Sequence, residues 1–245
     1  MAGNNGSSMT VSVVVPVKDE VDNVAILARE IAAALAHEPD HEIIFVDDGS
    51  TDGTAQTLTT LKSEIPHFRP LRHDRNLGQS RGIATGITAA KGDIIVTLDG
   101  DGQNDPADIP TLLAKLRADT SLGMVSGVRV KRQDTASRRI ASKFANRFRN
   151  AMLGDGATDT GCGIKAFYRT AFLELPYFDH MHRYLIALVQ RHGWKVDYAP
   201  VNHRPRLAGR SKYTNLGRTL VSIYDMLGVR WLQRRHGGRT KIEEL

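Results

Sequence analysis

The stretch Asp99-Gly100-Asp101-Gly102-Gln103 places two carboxylates two residues apart, directly after the apolar run 94–98. If the backbone turns there, both can face one small cavity. Hard oxygens suit Mg²⁺ or Mn²⁺, ions that keep waters and share their coordination with a ligand's phosphates. Gln103 offers a further neutral oxygen, and a nucleoside diphosphate bridged by the metal is the natural occupant. The same composition also makes an ordinary surface turn. A second candidate is Asp47-Asp48-Gly49-Ser50-Thr51-Asp52-Gly53, again after an apolar run. Asp48 is placed to accept hydrogen bonds from a ribose or a base edge, whereas Asp52 reads as a cap for the helix that follows. The third is Arg206-Leu207-Ala208-Gly209-Arg210-Ser211-Lys212-Tyr213. Glycine beside three cations and a hydroxyl suits a loop that closes over phosphates, or a solvated basic loop. A P-loop is excluded, because no Gly-x-x-x-x-Gly-Lys-Ser/Thr sequence occurs. Asp179, His180 and His182 lack a supporting ligand cluster and read as loop residues rather than a zinc site. Cys162, between two glycines, reads as a packed thiol.

These residues need a scaffold, and the first half of the chain alternates strand and helix signals. Strands are expected over 11–17, 41–46, 68–73 and 94–98, with helices over 20–37, from Thr51 or Asp52, over 78–90, and from Pro106 to 118. Continuous apolar strands alternating with helices predict an α/β fold, a mostly parallel sheet covered on both faces. Ligands bind such sheets at the carboxyl ends of the strands, where both acidic turns fall. After a further strand at 122–130 the pattern changes. Residues 136–153 read as a basic helix with Ile140, Phe144, Phe148 and Met152 four apart. A Gly-rich turn, a short segment at 164–168, a helix at 181–191 and a strand at 194–201 follow. Residues 215–235 form an amphipathic helix with Leu216, Leu220, Ile223, Leu227 and Trp231 on one side.

The 245 residues suffice for one large α/β domain, and 41% hydrophobic with 24% charged residues excludes a disordered chain. A single cysteine excludes an intrachain disulfide framework and fits a reducing compartment. There is no secretory signal pattern and no apolar run of membrane-spanning length, so the expectation is a soluble or peripheral protein facing the cytosol. The net charge of +6 is uneven. Residues 129–149 carry eight Lys/Arg against Asp134 alone, and residues 204–239 carry nine against Asp225 alone. Such blocks point to phosphates, an anionic membrane surface or nucleic acid, or else to solvated helix faces.

In order, PVKDEVDNV, VDDGSTDGT, RNLGQSRGIATGITAAKGDIIVTLDGDGQNDPADIP, the GVR–RRIAS block, TDTGCGIKAF and RLAGRSKY resemble family 2 glycosyltransferases of the GT-A fold. Within these, the chain is similar to dolichol-phosphate mannose synthases and bacterial polyprenyl-phosphate glycosyltransferases, over roughly residues 10–232. The resemblance implies a GT-A catalytic domain over 10–213, then a C-terminal amphipathic helix and tail over 214–245. By the same resemblance Asp99, Asp101 and Gln103 would hold a divalent metal, Mg²⁺ or Mn²⁺, on the donor's diphosphate. Pro16, Asp19 or Glu20, Asp48 and Gly78 would line the nucleoside pocket. Arg129, Arg138 and Ser142 match the pattern that receives the lipid's phosphate, and Arg206, Ser211 and Lys212 the loop that closes on the donor. Asp159 matches an acid near the acceptor, and His182-Arg183 falls where the family has a loop near the donor sugar. Two departures stand out: many relatives continue into membrane-spanning helices and this sequence does not, and a larger residue often stands where Gly102 is.

The expected activity is therefore inverting transfer of a sugar from a nucleotide sugar to a polyprenyl phosphate, at the cytosolic face of a membrane. Asp101, Arg206 and Asp159 are the candidate catalytic residues, and peripheral binding, a membrane-anchoring partner or a homo-oligomer would supply the anchorage. A polyprenyl phosphate is already anionic and needs little help from a base, whereas a sugar hydroxyl acceptor would make Asp159 indispensable. That hydroxyl-directed transferase is the alternative enzyme. A nucleic-acid-binding protein is the non-enzyme alternative, and it is disfavoured because the basic blocks lack interleaved aromatics and the acidic turns go unexplained.

Overall fold

A β-branched run without a polar face has to lie between two layers, and the strand Val11–Val17 (β1) is buried along its whole length. The computed structural model describes residues 10–130, 147–205 and 215–235, with side chains from residue 221 in the last segment. After β1 come helix Val21–Ala34 (α1), strand His41–Asp47 (β2), helix Thr54–Glu64 (α2), strand Phe68–Arg72 (β3), helix Gln79–Ala89 (α3) and strand Ile94–Thr97 (β4). A 3₁₀ turn at Pro106–Asp108 leads into helix Ile109–Ala118 (α4) and strand Leu122–Arg129 (β5). Helical residues 147–153 (α5) precede strand Lys165–Tyr168 (β6) and helix Arg169–Leu173 (α6). A 3₁₀ turn at Met181–Arg183, helix Leu185–Arg191 (α7), strand Lys195–Val201 (β7) and helix Asn215–Arg234 (α8) complete the order.

Among the described residues the sheet has seven strands in the order β3-β2-β1-β4-β6-β5-β7. Pairing is parallel from β3 to β4 and between β5 and β7, but β6 runs antiparallel to both β4 and β5. Val13, Val15 and Val17 enter a core with α1, α2 and α4, while Val14 enters the opposite core with α3, α7 and α8. Helix α3 lies close because its inner face is made of small residues: a Cβ at Gly86 would stand 2.4 Å from Cγ1 of Val14. That approach carries the start of α3 over the ends of β1 and β2.

Two boundaries differ from the sequence pattern. Helix α2 starts at Thr54 with Gly53 in the N-cap position. Asp52 still satisfies helix ends, accepting from the Thr54 amide (2.8 Å) and from the Val21 amide of α1 (3.3 Å). Pro106 opens the 3₁₀ turn rather than α4, and Asp105 caps that turn by accepting from the Ala107 amide.

Glu42 is a charged group buried near the start of β2. It accepts from Ser12 Oγ (2.7 Å), from the Lys91 amide (2.6 Å) and from the Arg69 guanidinium. Burial alone would push its carboxyl up, but the Lys91 amide, Ser12 and Arg69 together hold it below the ordinary carboxylate range. A depressed folded-state pKa contributes stability above the unfolded value, and that contribution is lost as pH falls through the folded one. Glu42→Gln should therefore lower stability at pH 7 by about 1–3 kcal/mol. Urea titrations across the acid range should show the two proteins converging as the pH drops below the carboxylate range.

Candidate active site

The carboxyl ends of β1, β2 and β4 open on a cleft of 1410 Å³. Its far wall is built by residues 160–163, Lys165 and the segment 179–183. At the β2 end, Asp48 is buried and both its oxygens are engaged. Oδ1 accepts from the Leu77 amide and lies 2.8 Å from His73 Nδ1, and Oδ2 accepts from the Gly78 amide, also at 2.8 Å. His73 continues to Thr85 on α3 (2.9 Å). Asp48 thus shapes the loop 76–78, and Gly78 (φ +89°) turns that loop into α3. Pro16, Glu20, Asp48 and Gly78 all lie on the cleft wall, but Asp19 does not. Asp19 instead joins the loops after β1 and β2: its amide donates to Ser50 Oγ (2.8 Å) and its Oδ1 accepts from the Thr51 amide (2.7 Å).

Asp99 and Asp101 share the wall beyond β4. Asp99 accepts from Gln79 Nε2 (2.7 Å), and its own amide donates to Asn104 Oδ1 (3.1 Å). Burial, then the charge of Asp101, pushes the Asp99 carboxyl up. Opposite it stands Gly163, where a Cβ would fall 2.2 Å from Asp99 Oδ2 and 2.6 Å from Asn104 Oδ1. Asp101 Oδ1 accepts from the Gln103 amide (3.1 Å), closing a turn in which Gly102 takes φ +73°. A larger residue at 102 would have to adopt that left-handed conformation. Gln103 is not on the cleft wall, and its carbonyl accepts from the Arg204 amide (3.0 Å).

Arg129 and Asp159 do not line the cleft; beside Gly161 of its wall they meet one another across 30 residues. Arg129 Nε donates to Oδ2 (2.7 Å) and Nη2 to Oδ1 (2.6 Å), a bidentate pair. The Arg129 amide also donates to Oδ2 (3.2 Å), and the Asp159 side chain is 5% exposed. Cys162 is buried, and burial pushes its thiol up. His182 and Arg183 line the cleft, with His182 Nδ1 2.7 Å from Ser80 Oγ. His180 Nδ1 lies 3.3 Å from Asp225 of α8. Arg138, Ser142, Arg206, Ser211 and Lys212 lie outside the described residues, as does most of the basic helix expected over 136–153.

Residues 12–175 match the sequence model of glycosyl transferase family 2. The chain belongs to that family. Two relatives, the undecaprenyl-phosphate 4-deoxy-4-formamido-L-arabinose transferases of Enterobacter sp. (strain 638) and Klebsiella pneumoniae, are each 36% identical over 219 residues, 89% of this chain and 66% of theirs. That of Pseudomonas fluorescens is 35% identical over 89% of this chain and 64% of its own. The chain thus spans just under two thirds of the length of these curated relatives. Glucosyl-3-phosphoglycerate synthase from Mycobacterium tuberculosis superimposes with a TM-score of 0.69 at 19% identity, over 95% of this chain and 83% of that one. The same enzyme in complex with Mn²⁺, UDP-glucose and phosphoglyceric acid gives 0.66 at 17% identity, over 92% and 80%. These likenesses establish the GT-A fold for this member of the family.

Gln79, Asn104, Gly163 and Lys165 are neighbours of Asp99 that motif reading passes over, because each looks like an ordinary polar or small residue until the fold brings it there. Asp48→Ala should strip partners from two amides and an imidazole. We expect a loss of about 1–3 kcal/mol in urea denaturation, with hydrogen exchange accelerated more at the Leu77 and Gly78 amides than within α3.

Proposed function

We propose that this chain carries an inverting transferase that moves a sugar from a nucleoside-diphosphate sugar to a polyprenyl phosphate at the cytosolic face of a membrane. The observation that carries the reading is the Asp99–Asp101 pair on the wall of a cleft at the strand ends. The acceptor class is supported by the one-third identity to undecaprenyl-phosphate sugar transferases.

Among the described residues no cluster of three or more His, Cys, Asp or Glu side chains forms a self-sufficient metal cage. Two hard carboxylates on a cleft wall fit Mg²⁺ or Mn²⁺, whose remaining positions are filled by phosphates and water. The crowding of Asp99 by burial and by Asp101 is relieved by a cation there. Such an ion, held by Asp99 and Asp101, supplies neutralisation of charge developing on the leaving diphosphate. Pro16, Glu20 and the loop shaped by Asp48 would receive the nucleoside, with Arg206, Ser211 and Lys212 closing on the donor. Arg129, Arg138 and Ser142 would orient the acceptor phosphate. Asp159 bears on the choice of acceptor: with both oxygens held by the Arg129 fork, it is badly placed to take a proton. A phosphate oxygen needs no base, so the pairing favours a phosphate acceptor over a sugar hydroxyl.

No helix among the described residues is long and apolar enough to cross a membrane. Helix α8 offers another form of attachment. Met226 and Val229 are buried against the domain, while Ile223, Leu227 and Trp231, four residues apart, are exposed together with Tyr224. Arg230, Arg234 and Arg235 flank that stripe and are exposed. An exposed apolar stripe between cations suits lying in an anionic bilayer surface.

Release of nucleoside diphosphate from a panel of GDP- and UDP-sugars should require both the metal and a short polyprenyl phosphate. Asp101→Ala should reduce it by roughly 10²–10³-fold. Metal-dependent release indifferent to the lipid phosphate would overturn the acceptor assignment, and no release with any donor would overturn the enzyme reading. Co-sedimentation with anionic phospholipid vesicles should fall at least about tenfold for Leu227→Glu/Trp231→Glu, since both large side chains lose their burial in the interface. Equal binding of that variant would remove α8 from the membrane contact.

A further inference from the structure

Lys165 is the charged group that the reading above leaves unused. It stands on β6, 5% exposed, and it lines the cleft. Its Nζ donates to the carbonyl of Cys162, its one hydrogen bond among the described residues. An ammonium has three donors, so two are left over at a depth where an unused donor is costly. Its register partner on β5, Ser126, is fully buried, with a hydroxyl that likewise finds no hydrogen-bond partner among the described residues. Burial pushes the Lys165 ammonium down, Cys162, Asp99 and Asp159 pull it back up, and Arg129 adds to the fall, so groups from the metal side (Asp99) and from the Arg129–Asp159 pair both act on it. Asp99 Oδ1 is occupied by Gln79, and both Asp159 oxygens by Arg129. The ammonium therefore stands on the cleft wall between Asp99 and the Arg129–Asp159 pair behind that wall, and neighbouring carboxylates do not consume its donors.

We infer that Lys165 is a substrate-binding catalytic residue whose ammonium donates to an oxygen of the acceptor's phosphate monoester. The chemistry asks for such a cation. Donor diphosphate and acceptor phosphate are both anions, and they must approach a single sugar carbon. Arg129 reaches that region with its Nε and Nη2 edge already on Asp159, so a compact cation with uncommitted donors completes the charge balance. An arriving phosphate anion favours the charged form of this buried amine, and the ammonium aligns the attacking oxygen without activating it. This inference rests on the acceptor reading proposed above, and the test separates the two.

Calorimetric titration of the full chain with citronellyl phosphate, a two-isoprene phosphate monoester, measures the contact without a donor sugar. Citronellol and inorganic phosphate serve as the tail-only and headgroup-only arms. Lys165→Met removes charge and donors, whereas Lys165→Gln removes the charge but keeps an N–H for the Cys162 carbonyl. Both variants should bind citronellyl phosphate roughly ten- to a hundredfold more weakly, the worth of a charge-assisted hydrogen bond. Affinity for GDP or UDP with Mn²⁺ should stay within about threefold. Inorganic phosphate should compete in the wild type, and citronellol should not. If Lys165→Gln folds with an unchanged melting temperature and binds citronellyl phosphate like the wild type, the inference falls and the acceptor reading stands. An equal loss of nucleotide–Mn²⁺ affinity would move Lys165 to the donor and overturn it. A wild type that ignores citronellyl phosphate would sink the acceptor reading and Lys165 together.

Discussion

At Gly163 there is no room for a side chain, because Asp99 Oδ2 stands where a Cβ would be. That contact locks the two halves of the site to one another. Asp99 belongs to the parallel half, delivered by β4, whereas Gly163 belongs to the segment that enters β6 from the opposite direction. Thr97 Oγ1 donates to the Gly163 carbonyl at 3.0 Å, so the two halves are also joined by a hydrogen bond two residues before Asp99. The antiparallel insertion of β6 between β4 and β5 then sets Lys165 level with Thr97 on one side and Ser126 on the other. A four-residue strand thereby decides which charges share the cleft.

The parallel half was legible in the sequence because its physics is local. Unbroken β-branched runs call for two-sided burial, acidic turns at their carboxyl ends mark the cleft, and helix periodicity fills the intervals. Helix α3 was legible as a small-residue helix, although its reason, contact with Val14, needs the third dimension. Legibility fell after residue 130. Strand β6 is too short to show a period, and its direction follows from a crossover that no local pattern encodes. The Arg129–Asp159 pair shows the same limit: each residue was visible as a candidate, but their mutual bidentate grip joins positions 30 apart. The strand-end position of Asp48 was legible, but not that it ties down Leu77, Gly78 and His73.

Helix α8 turns its larger apolar line outward. The pattern of Ile223, Leu227 and Trp231 resembles a core stripe, yet the residues that enter the core are Met226 and Val229, on a neighbouring line of the helix. Polar contacts explain the choice of face. Tyr184 OH donates to the Ser222 carbonyl (2.9 Å), Arg191 Nε donates to the Leu232 carbonyl (2.9 Å), and His180 pairs with Asp225. These anchors turn Ser222, Asp225 and Leu232 inward and leave the larger apolar line outside. Because Ser222, Ile223 and Met226 also line the cleft, the helix that carries the exposed stripe is a wall of the site. On the proposed function, a lipid acceptor held at the bilayer surface would meet the cleft beside that wall.

The uneven charge of the chain then acquires a physical sense. On the proposed function, transfer between two phosphates would ask this chain to gather anions, so cations would have to outnumber carboxylates around the reacting carbon while enough carboxylates remained to hold a metal. The chain meets these opposing demands by spending its carboxylates locally. Asp48 is absorbed by amides and His73, Asp159 by Arg129, and Glu42 by Arg69 and its neighbours. Asp99 and Asp101 face the cleft together, with Asp99 pushed toward its protonated form by burial and by its neighbour. A buried carboxyl pushed up as Asp99 is gains most from an arriving cation, and the anion bridged to that cation arrives with it. Cation and diphosphate should therefore bind as one unit, each weakly without the other, with Lys165 left to answer the second phosphate.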